Sequence, residues 1–172
     1  MTNHATTDGE RADLIQSVDR HRSFLRFTVR DLTDEQAAQR TTVSQLCLGG
    51  LIKHVAATER QWARFIVEGP AVMGALDEAT MASWASAFEM ADGDTLAGLL
   101  DDYQNVADAT NDLVLTLPDL GASQPLPEAP WFEPGARWSA RRVILHIIAE
   151  TSQHAGHADI LREALDGQKT MG

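Results

Sequence analysis

One segment limits what this chain can fold into. From Arg141 to Leu165 an apolar helical repeat runs without a proline, and His146, Glu150, His154 and His157 interrupt it at intervals of four, four and three. At about 100° per residue, the four side chains fall within an arc of roughly 80°, on one stripe with Val143, Leu161 and Leu165. This is the core-facing stripe of a bundle helix carrying two turns of imidazole and carboxylate. Desolvating that much polarity is costly unless something binds it. A divalent metal is the simplest candidate.

The rest of the chain is also patterned as helix, and no run alternates strongly enough to read as a strand. Leu14, Val18, Leu25 and Leu32 give a first helix over Glu10–Leu32, with residues 1–8 as a flexible tail. Thr33 and Gln36 have capping-box spacing for a short helical turn. A second helix runs from near Ser44 to Gly69-Pro70, its apolar face made by Cys47, Leu51, Val55, Trp62 and Phe65, with His54 at the edge. Gly49-Gly50 weakens its start and allows a neighbouring helix or a ligand to come close. Residues 70–94, with Met73, Met81, Trp84, Phe88 and Met90, suit short helices over one end. A third helix spans Leu96–Leu117, capped by Asp94 or Thr95 and ended by Pro118. Five of the six prolines lie in 118–138, a loop whose Trp131, Phe132 and Trp138 imply that it packs onto the domain. Ser139 then caps the last helix, which Asp166-Gly167 stops. The expected fold is an all-α four-helix bundle in a single domain over 1–172, with short extra helices and a long loop before the last helix.

Composition excludes several classes. The chain is 44% hydrophobic with a net charge of −11, and its basic residues are scattered, so neither a nucleic-acid groove nor an anionic membrane is a natural partner. No apolar run reaches the roughly 20 residues of a membrane span, and Met1–Gly9 lacks the apolar core of a signal peptide. The expectation is a cytoplasmic protein. A single cysteine, Cys47, excludes an internal disulfide and any CxxC motif, and its leucine neighbours suit a buried role.

Glu150 and His154, one helical turn apart, can converge on one ion. The third ligand must come from another helix, and His54 is the best choice. His21 lies between Arg20 and Arg22, on what reads as a solvated face, and His4 lies in the tail. Taken singly, each has a plainer reading: His54 as a hydrogen-bonded helix-edge residue, Glu150 as a partner for Arg141 or Arg142. A two-His, one-carboxylate set leaves coordination positions open to water or substrate. His146 and His157 would orient ligands, relay a proton or line the open pocket.

The stretch Ser44-Gln45-Leu46-Cys47-Leu48-Gly49-Gly50-Leu51-Ile52-Lys53-His54 through Trp62, and the closing run from Trp138 through His146, Glu150, His154 and His157 to Glu163, resemble the second and last helices of the DinB-like superfamily, in its actinobacterial branch. The resemblance spans the whole chain. It implies a four-helix bundle holding a divalent metal, usually zinc or nickel. Many members use one histidine from the second helix and an HxxxH pair from the last. Here Glu150 stands at the first position of that pair, as in the mycothiol-dependent maleylpyruvate isomerase group. By this resemblance the ligands are His54, Glu150 and His154, and the co-substrate is a low-molecular-weight thiol, mycothiol in this branch. The isomerase carries a further C-terminal domain that contributes to its active site, whereas this chain stops at Gly172, so thiol S-transfer in detoxification is expected rather than isomerisation. A homodimer is a further expectation of the resemblance. Two rivals share the same residues: a metal-assisted hydrolase of amides or esters, and a non-enzymatic metal-binding protein of stress response.

Overall fold

The computed structural model describes residues 4–74, 77, 80 and 86–170, with side chains from residue 9 onward. Among them, α1 (His4–Thr28), the short α2 (Asp34–Ala38), α3 (Leu48–Glu68), α4 (Leu96–Thr116) and α5 (Ala140–Asp166) make the expected all-α bundle. α1 packs on α5, α5 on α3, α3 on α4, and α4 returns to α1, closing the ring. Met81 and Trp84 lie outside the described residues, so of the short helices expected over 70–94 only a 3₁₀ turn at Pro70–Met73 is described in full.

The caps follow local chemistry. Thr33 and Gln36 form the reciprocal capping box of α2. Thr95, rather than Asp94, caps α4 by accepting from Gly98 N–H, while Asp94 pairs with Lys53. Ser139 accepts from Arg142 N–H to start α5, and Gly167, left-handed at φ 78°, ends it.

Several expectations need correction. α1 begins at His4, ahead of Glu10 and inside the segment expected as a tail. α3 begins at Leu48, not near Ser44. The Thr42 and Ser44 hydroxyls each accept the backbone N–H two residues on, which holds a turn in place of a helix, and the Cys47 sulfur takes the cap by accepting from Gly50 N–H at 3.3 Å. α1 stops at Thr28, short of Leu32, because the buried Arg162 guanidinium donates to the Thr28 and Arg30 carbonyls, both at 2.8 Å. Finally, the proline-rich loop contains two strands, β1 (Ser123–Pro125) and β2 (Arg137–Ser139), paired antiparallel with Gln124 opposite Trp138. Three residues are too few to leave a period-two signature.

The core has three clusters among the described residues. Leu25, Leu48, Leu51, Val55, Tyr103 and Leu161 belong to one. Leu14, Val114, Leu120, Ala140 and Ile144 make a second. Val18, Trp62, Phe65, Val143 and Ile147 make the third, with Phe132 and Trp138 of the loop packed against them. Arg22 is not on a solvated face: it is buried and forms a two-pronged ion pair with buried Glu59 across the bundle from α1 to α3, and its Nη1 also reaches Asp19 and Asn111 at 2.6 and 2.9 Å.

Candidate metal centre

α3 and α5 pack side by side, so His54 on one faces Glu150 and His154 on the other. The three offer one donor atom each, all within 4.8 Å of one another. His154 Nε2 lies 3.6 Å from Glu150 Oε2, and the His54 and His154 rings meet edge to face with centroids 4.8 Å apart. His154 is buried and the other two are half-buried. Burial, helped by neighbouring His154, pulls the His54 pKa down to about 4, so its lone pair is free at neutral pH. The hydrogen bond from His154 is the main force holding Glu150 below the usual carboxylate range, so it is ionised. Two imidazoles and one carboxylate, converging from two helices, form a donor set suited to a divalent transition metal.

The remaining two histidines of α5 take different positions. His157 stands behind His154, Nδ1 to Nδ1 at 3.4 Å. The tautomer of His154 decides which of its two nitrogens donates, Nδ1 to His157 or Nε2 to Glu150. His146 lies one turn before Glu150, 4.0 Å from Oε1, wedged edge-on between Trp62 and Trp138 at 4.8 and 5.1 Å. Burial is the main cause depressing its pKa. His21 packs edge-on against Phe24 on α1, and Arg141 pairs with Glu10, which leaves Glu150 to the histidines.

A cleft of about 730 Å³ opens beside the cluster. His54, Thr58, His146 and Glu150 line it together with Trp62, Met73, Trp131 and Phe132. Trp62 and Trp131, whose sequence positions favour packing over pocket lining, line the cleft, Trp62 as part of the core as well, while Trp138 supports it by stacking on Trp62 at 4.9 Å. Sequence reasoning missed Phe88, whose ring lies on His54 with centroids 4.0 Å apart. Its one available signal was the Gly49-Gly50 pair against which its backbone rests.

A family model described as mycothiol-S-transferase matches residues 13–167. The chain belongs to the mycothiol-S-transferase family. This is a DinB-like family, as the two helix signatures implied. Among solved structures, the crystal structure of a conserved protein of a locus from Enterococcus faecalis is similar with a TM-score of 0.61 at 14% identity, covering 90% of this chain and 96% of that one. At that identity the likeness is one of fold. No curated protein matches the sequence. Among the described residues of this mycothiol-S-transferase family member, no helix is long and apolar enough to cross a membrane.

Proposed function

We propose that the protein is a metal-dependent S-transferase that uses mycothiol against an electrophilic small molecule. The observation that carries this is the convergence of His54, Glu150 and His154 beside an open cleft, in a chain of this family. A divalent cation held by those three residues, zinc or nickel as the DinB-like resemblance implies, would supply Lewis acidity and lower the thiol pKa from about 8.5.

The residues around the centre divide the remaining work. His54, His154 and ionised Glu150 offer two imidazole nitrogens and one negative charge, which would leave part of a cation's charge for the incoming sulfur. His157 orients His154 from behind. His146 lines the cleft, is held neutral by burial, and is the group placed to accept the thiol proton. The sulfur then forms its bond to the electrophilic carbon and the leaving group departs with its electron pair. Trp62, Trp131 and Phe132 offer apolar surface that excludes water from the reacting pair.

Conjugation of mycothiol to monobromobimane or chlorodinitrobenzene, with and without added metal, tests this. Metal-dependent conjugate is expected. Ester or amide hydrolysis without thiol would favour the hydrolase instead, and conjugation that survives complete chelation would remove the metal from the scheme.

A further inference from the structure

Residues 86–94 form a strap that lies outside the candidate ligand set and packs against one of its members. The strap lies against the start of α3. A Cβ on Gly50 would fall 1.8 Å from the Phe88 carbonyl oxygen and 2.3 Å from its carbon, and a Cβ on Gly49 would fall 2.2 Å from Met90 Sδ. At Gly50 the obstacle is backbone, so no larger residue could leave that notch open, whereas at Gly49 it is the movable end of the Met90 side chain. The Cys47 thiol donates to the Phe88 carbonyl at 3.5 Å, beside the notch. Further along, Asp94 accepts from Lys53 Nζ and from Ala91 N–H, both at 2.8 Å, and Glu89 pairs with Arg40. The Phe88 backbone is thus held from several directions.

Gly50 and His54 are one turn apart on the same face of α3. Holding the Phe88 backbone at Gly50 brings its ring flat onto the His54 imidazole, 4.0 Å between centroids at an interplanar angle of 25°, and to 5.8 Å from His154. The second side-chain torsion of histidine is broad, so a half-buried imidazole turns easily unless something sets its plane. Ligating histidines commonly gain that constraint from a hydrogen bond to a carboxylate or a backbone carbonyl. The described partner of His54 is only the Thr58 hydroxyl, at 3.4 Å from Nε2. The flat face of Phe88 supplies what that long contact does not.

We infer that Phe88 is a positioning residue for the metal centre: seated by the Gly49-Gly50 notch, it fixes the plane of His54 so that the ring meets Glu150 and His154. This rests on the metal reading above. It differs from a packing role because the shape of the side chain, not its volume, is what counts.

The test is cobalt titration of the metal-stripped full-length protein, reading affinity by chelator competition and coordination by the visible spectrum. Phe88→Tyr keeps the flat ring and should bind within about threefold of wild type. Phe88→Leu keeps apolar bulk but cannot stack, and should weaken binding roughly 10–100-fold, the range for lost support of a ligand, with an altered spectrum. Phe88→Met gives the same answer should the leucine variant fail to fold. Wild-type affinity and spectrum in Phe88→Leu or Phe88→Met would overturn the inference, as would Phe88→Tyr binding as weakly as leucine. If wild type binds cobalt and His154→Ala does not, such a result removes Phe88 alone. If wild type binds no cobalt, the metal centre falls and this inference with it.

Discussion

Glu150 holds the two sides of the site together. One carboxylate oxygen faces His154 at 3.6 Å and the other faces His146 at 4.0 Å, so a single side chain touches both the candidate ligand set and the candidate proton acceptor. Its charge matters more than its shape. Glu150→Gln preserves size and loses the anion, so metal affinity should fall at least tenfold while the fold persists; equilibrium dialysis against zinc beside a circular dichroism spectrum reads both, and undiminished zinc binding would count against the assignment. His54 makes a second prediction, in pH. The folded protein holds it at about 4 whereas the free side chain titrates near 6.5. As pH falls, the unfolded chain takes the proton first, so the stability that the neutral ring contributes is complete above pH 6.5 and is lost on the way down to pH 4. Glu150, held below 4.5, adds its own loss only lower still. The melting temperature of the metal-free protein should therefore decline between pH 6.5 and pH 4, and decline less in His54→Ala. Parallel curves for the two proteins would contradict this.

At the scale of elements, α5 acts as a ruler. Its register places His146, Glu150 and His154 one turn apart each, and its start depends on Ser139, which is both the last residue of β2 and the N-cap. Ser139→Ala should cost about 1 kcal/mol in urea denaturation through the lost cap, and no measurable change would mean that strand pairing alone sets the start of the helix. α5 was legible from sequence because helical periodicity over 27 residues is a long signal and its polar interruptions share one stripe. The convergence with His54 was legible only in part: its place on the edge of a core-facing helix made it a candidate, but the packing of α3 against α5 is a tertiary fact. What could not be read shares a cause. β1 and β2 are too short for periodicity, the start of α3 was decided by two hydroxyl turns and a thiol cap, and Phe88 reaches His54 from an irregular strap. In each case local hydrogen bonding or a long-range contact, rather than repeat, determines the geometry.

Across the whole molecule, the bundle is held by a contact that helical patterning hides. Arg22 and Glu59 look like the polar residues of solvated helix faces, yet both are buried, and they join α1 to α3 through paired nitrogen–oxygen contacts, with Asp19 and Asn111 bonded to the free end of the guanidinium. Removing one partner leaves the other as an uncompensated charge in the interior, so Glu59→Ala should lower stability by about 3–5 kcal/mol. Removing both is a different experiment. The desolvation penalty of the pair disappears together with its attraction, so Arg22→Met with Glu59→Leu should be far less damaging than either truncation alone, or even neutral. Urea denaturation of Arg22→Met, of Glu59→Leu and of the double variant closes this cycle. Additive losses would mean that the two side chains act independently and that the bundle is held by its apolar clusters; a double variant near wild type would identify the pair as a device whose halves are costly only when separated.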